Sequence, residues 1–263
     1  MILAISPHLD DAVFSIGGTL AQAAAGGEQV LVATVFTRSV LSPTGFALAC
    51  QLDKGLGSDV DYMALRRRED QLAAERLSFE SPLHLGLPEA PHRGYDSAKE
   101  LFAGPRSDDS ASTAVAEALG RLLEQMTPDR VLCPLGVGPH VDHLVVIEAL
   151  DRLGVTTERW RDVPYVLRDA DPAHVANELR VSLSERPVGL SEAELERKLD
   201  ACAAYATQLG FQFGGEQPMR RAIRAFADTE GARLGCDGPA EALSLVSASG
   251  GAQRLRTLDL RAP

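Results

Sequence analysis

The stretch from Ile2 to Gly18, ILAISPHLDDAVFSIGG, decides the fold. Its first five residues, Ile2 to Ser6, form a short apolar run of the kind that makes a buried strand. Gly17 opens a second segment, GGTLAQAAAG, which reads as a helix stopped by Gly26 and Gly27. The segment QVLVATVF, Gln29 to Phe36, is apolar and β-branched and predicts a second buried strand. Strand, helix and strand within ~35 residues are the βαβ unit of a parallel sheet. His8, Asp10 and Asp11 then stand just beyond the carboxyl end of the first strand, where open parallel sheets bind their ligands.

The same alternation continues along the chain. Thr37 to Asp61 is polar and aperiodic, a loop far longer than the usual ~4–6 residues and therefore a candidate pocket wall. MALRRREDQLAAERL, Met63 to Leu77, has helical spacing with Met63, Leu72, Ala73 and Leu77 as inward positions. SPLHLGL predicts a strand and PEAPHRGY, Pro88 to Tyr95, a loop. Ser112 to Met126 predicts an amphipathic helix capped by Ser112 or Thr113. DRVLCPLG predicts a strand, His143 to Gly154 a helix, and VPYVLR a further strand. Leu190 to Leu209 predicts one long helix with Ser191 as N-cap and Glu194 completing a capping box. This order implies an α/β, Rossmann-like, doubly wound and mostly parallel sheet with helices on both faces. The whole chain, 1–263, reads as one domain, with a weakly patterned C-terminal extension from about 231 that adds an edge hairpin.

Composition narrows the function. The 263 residues carry a net charge of -11, which argues against a nucleic-acid or anionic-membrane partner. No run approaches the ~20 apolar residues of a transmembrane helix, and MILAISPH lacks the basic start of a secretory signal, so a cytoplasmic protein is expected. Four scattered cysteines, with no CxxC pair, exclude a sulfur-ligated zinc site.

Chemistry concentrates in two clusters. GPHVDH, Gly138 to His143, follows the strand around Arg130 to Leu135 as HLDD follows the first strand, so both face one rim of the sheet. Together they hold three of the six histidines and three aspartates. Histidine nitrogen and carboxylate oxygen are the ligands of catalytic zinc, which keeps three protein ligands and one open position. A divalent cation also explains two adjacent aspartates, because it offsets their repulsion and lets one ligate while the other takes a proton. An Asp-Asp pair can also be a helix cap and dipole partner, but two such clusters at two strand ends exceed what capping needs. No P-loop and no GxGxxG occurs, which disfavours phosphoryl transfer and dinucleotide binding.

PHLDDAVFSIGG and PLGVGPHVDH together resemble the LmbE-like, or PIG-L-like, zinc-dependent de-N-acetylases. LRRRED, AAERL, HLGLPEAPHRGY, DVPYVLR and KLDACAAYATQL support the resemblance in order, over about Ile2 to Leu209. The resemblance implies one zinc per chain held by His8, Asp11 and His143, with iron or cobalt able to replace it. It implies Asp10 as general base, His140 as oxyanion stabiliser or proton donor, and Asp142 as orienter of a histidine. Arg67 or Arg68 would hold a substrate hydroxyl or carboxylate, with a surface ion pair to Glu69 or Asp70 as the alternative. His92 would touch substrate or face solvent. Two positions depart from the family pattern. Ala12 stands where the commonest motif has Glu, as in a subgroup of the family. Gly138 and Pro139 stand where some members have an oxyanion-binding Tyr, so that role falls to zinc and His140 or to a residue from elsewhere. The implied reaction removes an N-acetyl group from an amino sugar or glycosylated small molecule. An amidase acting on a thiol S-conjugate and a non-catalytic sugar-binding relative are the alternatives.

Overall fold

The first strand, β1 (Ile2–Ser6), is buried along its whole length because strands flank it on both sides. It pairs in parallel with β2 (Val30–Thr34) and with β4 (Arg130–Pro134). The computed structural model describes residues 1–168 and 184–246, and in them seven strands form one sheet in the order β3-β2-β1-β4-β5-β7-β6. Here β3 is Leu83–His84, β5 Thr157–Trp160, β6 Ser184–Gly189 and β7 Ala240–Val246. The first five strands in that order are parallel, and β7 runs antiparallel to both β5 and β6. Strand order reverses between β1 and β4, so a crevice opens beyond their carboxyl ends.

Alternate residues of the strands serve two layers. Leu3, Ile5, Leu31, Ala33 and Val131 pack against Val115 and Leu119 of α5 (Ala111–Met126) and Val145 and Leu150 of α6 (Val141–Arg152). Ile2, Ala4, Val30, Val32 and Leu132 face Ile16 and Leu20 of α1 (Asp11–Ala25). The other helices are α2 (Gly45–Leu52), α3 (Tyr62–Leu77), α4 (Ala98–Leu101), α7 (Glu192–Cys202), α8 (Ala206–Phe213) and α9 (Glu216–Leu234).

Several elements differ from the sequence expectation. Helix α1 starts at Asp11, not Gly17, and is broken at Ile16 (φ -131°, ψ 22°). The break frees amides that Glu241 of β7 collects: Gly18 N donates to it at 3.0 Å and Thr19 N at 2.7 Å. Glu241 also pairs with the buried Lys198 at 2.7 Å. Gly18 is required there, since a Cβ would lie 2.6 Å from Leu190 Cδ1. In α3 Met63, Ala73 and Leu77 are buried as expected, but Leu72 is 39% exposed and the interior stripe also takes in Arg66 and Asp70, which apolar periodicity does not mark.

The Thr37–Asp61 stretch contains α2, the Pro88–Tyr95 loop a 3-10 turn over Ala90–Arg93, and the Ser81–Leu87 strand shrinks to Leu83–His84. Helix α5 begins at Ala111, whose amide donates to Asp109, and α6 begins at Val141. VPYVLR is not a strand. Its amides serve no strand ladder: Val163 N donates to Ser15 Oγ of α1 (3.1 Å) and Val166 N to Asp162 O, and Tyr165–Leu167 forms a 3-10 turn. The strand before it, TERW, was hidden by Glu158 and Arg159, which pair with Arg130 and Asp151. The Ser191–Glu194 capping box is present, but the long helix divides into α7 and α8. Beyond Gly231 the chain supplies β7, which lies between β5 and β6 and not at an edge; residues 247–263 lie outside the described part. Among the described residues no helix is long and apolar enough to cross a membrane.

Candidate metal centre

The β1–β4 crevice brings the two motifs together. HLD is the connection from β1 into α1, with Asp10 as the helix N-cap and Asp11 in its first turn. His140 caps α6, its Nδ1 accepting from the Asp142 amide at 3.2 Å, and His143 follows in the first turn. The rings of His8, His140 and His143 lie 5.0 to 5.6 Å apart, and each offers a nitrogen within 4.8 Å of the others'.

Asp11 sits between two of them. Its Oδ2 is 3.1 Å from His8 Nδ1 and 3.2 Å from His143 Nε2, and it accepts the His8 amide at 2.8 Å. The far nitrogen of each ring is held by a buried carboxylate: His8 Nε2 by Asp142 (2.9 Å) and His143 Nδ1 by Asp162 (2.6 Å). Those bonds turn His8 Nδ1 and His143 Nε2 inward as lone-pair donors, the pattern of metal-binding histidines. His143 Nε2 is buried with no hydrogen-bond partner among the described residues. A tetrahedral zinc with bonds of ~2.0–2.1 Å spaces its ligand atoms roughly 3.3 Å apart, which the Asp11 contacts match. The donor set therefore fits a zinc-like ion.

Electrostatics follow from burial and charge. Burial raises Asp10 to about 6, against the pull of Arg66. Burial opposes a charge on His143, but Asp11 and Asp162 outweigh it and raise that ring to about 9. Burial also works against Asp11 and Asp142, yet the imidazoles beside them, with Arg93 at Asp142, hold both carboxyls low. Burial and the charge on His8 lower His140 to about 3.

Asp10 does not use its side chain as a cap. Arg66 Nη2 donates to its Oδ1 (3.2 Å) and Gln212 Nε2 to its Oδ2 (3.1 Å). Arg66 also binds Glu89 at 2.6 Å. Of the three consecutive arginines it is Arg66 that reaches the centre. Arg67 donates to Thr37 O and Ser39 Oγ, Arg68 is exposed, and neither forms the expected ion pair with Glu69 or Asp70. Glu69 instead accepts from Thr207, and Asp70 from Tyr205 and His84. His92 is half-buried without a ring hydrogen bond among the described residues. Its neighbour Arg93 is the residue in use, donating to Asp142 at 2.7 Å.

Sequence reasoning missed Asp162 and Tyr165. Asp162 Oδ2 accepts from the amides of Gly136 and Val137 (2.9 and 3.0 Å) while Oδ1 holds His143, so one side chain joins three segments. Three residues on, the Tyr165 ring lies 5.4 Å from His143 and 6.3 Å from His140. Burial and the surrounding charges of Asp11, Asp10, Asp162 and Asp142 keep its phenol protonated. Gly138 makes room for it: with φ +70°, a Cβ there would stand 2.5 Å from the Tyr165 Cβ. The DVPYVLR segment was the available signal, hidden because its apolar residues resemble a strand.

The family model described as PIG-L: GlcNAc-PI de-N-acetylase matches residues 3–153. A 2'-N-acetylparomamine deacetylase of Streptomyces fradiae is 35% identical over 213 residues, 78% of this chain and 72% of the relative. The crystal structure of the A40926 pseudoaglycone deacetylase superposes with a TM-score of 0.77 at 28% identity, covering 94% of this chain and 98% of that one. The zinc inhibited form of teicoplanin deacetylase superposes at 0.78 with 25% identity, covering 95% and 99%. These relatives are deacetylases.

Proposed function

The chain belongs to the PIG-L family, and from that membership we propose that it is a zinc-dependent N-deacetylase of an amino sugar or of a glycosylated small molecule bearing one. The observation that carries the reading is the pair of carboxylate-held histidines whose inward nitrogens, His8 Nδ1 and His143 Nε2, converge on Asp11 Oδ2 at 3.1 and 3.2 Å. The substrate class follows the relatives, named for 2'-N-acetylparomamine in one and for the A40926 pseudoaglycone and teicoplanin in others.

His8, Asp11 and His143 would hold the zinc. When bound it supplies Lewis-acid polarisation of the acetamide carbonyl and lowers the pKa of water. Asp10, gripped by Arg66 and Gln212, accepts the proton of the attacking water and returns it to the departing amine nitrogen. His140 is a neutral donor and not a fourth ligand, because its Nδ1 lone pair is engaged by the Asp142 amide and its proton lies on Nε2. That N–H and the Tyr165 hydroxyl stabilise the oxyanion developing on the acetyl group. Tyr165 thereby takes the part of the upstream Tyr that Gly138 and Pro139 replace.

Two measurements check this. Elemental analysis of wild type and His143→Ala should find about one metal per wild-type chain and none in the variant. Wild type, and not the variant, should release acetate from N-acetyl amino sugars while leaving thiol S-conjugates intact. A wild type free of metal after zinc soaking would overturn the reading. Tyr165→Phe keeps the ring against Gly138 and removes only the hydroxyl. It should lower kcat about 100- to 1000-fold with KM and metal content unchanged, in line with the loss of one oxyanion donor.

A further inference from the structure

His8 owes the inward turn of its ring to Asp142, and Asp142 is itself held from behind. This carboxylate is fully buried and takes three donors. His8 Nε2 (2.9 Å) and the Ala90 amide (3.1 Å) meet its Oδ2, and Arg93 Nη1 (2.7 Å) meets its Oδ1. A histidine that ligates a metal through one nitrogen is neutral, so it brings no charge to offset a buried carboxylate. Among the described residues Arg93 is the arginine or lysine that supplies that charge.

Arg93 is fixed in turn. Its Nε and Nη2 donate to the two oxygens of Asp109 (3.3 and 2.9 Å), and its Nη1 also reaches Pro88 O (2.9 Å). Its guanidinium carbon lies 5.0 Å from the centre of the Phe36 ring and 5.7 Å from that of Tyr95. Asp109 accepts from the Tyr95 hydroxyl (2.9 Å) and from the Ala111 amide that starts α5 (3.0 Å). A planar fork of donors can span two carboxylates in one fixed geometry, which the point charge of a lysine cannot do. We infer that Arg93 is a positioning residue for the metal centre: it ties Asp142 to Asp109 and so sets the ring of His8 with Nδ1 inward. The inference rests on the reading of His8 as a ligand and adds to it a residue two contacts removed from the metal.

The test is the zinc affinity of the metal-stripped full chain, read by competition with a chromophoric chelator, so that no turnover is needed. Arg93→Met should weaken zinc binding about 10- to 100-fold, the size of effect seen for partners of metal ligands. Arg106→Met is the control. Arg106 supports the same segment through Gly94 O and the Tyr95 ring (5.0 Å), yet its bonds do not reach Asp142. That variant should bind zinc within about twofold of wild type, as a site outside the network would. In an Asp142→Asn background, Arg93→Met should add a loss of no more than about twofold, because its effect passes through that carboxylate. If Arg93→Met does not fold, Arg93→Lys makes the same test: it keeps the charge without the double hold and should lose roughly threefold or more. Wild-type affinity in the folded Arg93 variant would overturn the inference. So would an equal loss in Arg106→Met, which would reduce Arg93 to support for the segment, or losses that simply multiply with Asp142→Asn. A wild type that binds no zinc would overturn the metal centre itself, and this inference with it.

Discussion

Asp10→Asn is expected to lower acetate release roughly a thousandfold while leaving metal content at the wild-type level, the size of effect that loss of a general base produces. Asn is isosteric and still accepts from Arg66 Nη2, so the clamp on that side survives. The three residues read as ligands, His8, Asp11 and His143, keep all their partners, Asp142 and Asp162 included. The result therefore separates the two adjacent aspartates. Asp11 stands between two inward imidazole nitrogens at 3.1 and 3.2 Å, whereas Asp10 is turned to an arginine and an amide. Turnover near wild type in Asp10→Asn would remove Asp10 from the reaction. Loss of metal would make it a ligand in place of Asp11.

The largest effect on stability is expected away from the reacting centre, at Glu241→Ala. Glu241 is 4% exposed, accepts the amides of Gly18 and Thr19 and the Thr19 hydroxyl, and pairs with Lys198, itself 1% exposed. Removing it strands a buried ammonium whose remaining partner among the described residues is Ser15 O, and orphans two amides at the break in α1. Breaking one side of such a pair costs about 3–5 kcal/mol. At roughly 2–4 °C per kcal/mol for a protein near this size, Tm should fall by about 10 °C. Lys198→Met should cost less, because the Glu241 carboxylate would still have three donors. Thermal unfolding of both variants checks the order, and a smaller loss in Glu241→Ala would contradict this account. The pair also bears on the centre, since the helix it stabilises carries Asp11 in its first turn.

How much of this was legible in the chain depends on whether the cause was local. Ile2–Ser6 and Val30–Thr34 could be read as strands because burial on both faces leaves an uninterrupted apolar run. The convergence of His8, Asp10 and Asp11 with His140, Asp142 and His143 could also be read, because polar residues after parallel strands fall on one rim. Where charge enters the interior, the same reading fails. Arg66 and Asp70 occupy the buried stripe of α3, so Leu72 looked internal and is not, and the strand Thr157–Trp160 was concealed by Glu158 and Arg159.

What the sequence by itself determined was the strand-end placement of two His/Asp clusters, on which the proposed metal-binding chemistry rests. Only the tertiary structure decided which arginine meets Asp10, that Asp162 holds His143, and that Tyr165 fills the space left by Gly138. It also decided that Gln212, some two hundred residues from Asp10, completes the grip on that carboxylate. The physical reason is range. Hydrophobic periodicity and caps report on a residue's own turn of chain, whereas a buried charge is tolerated only by a partner, and the partner comes from whatever segment the packing brings beside it.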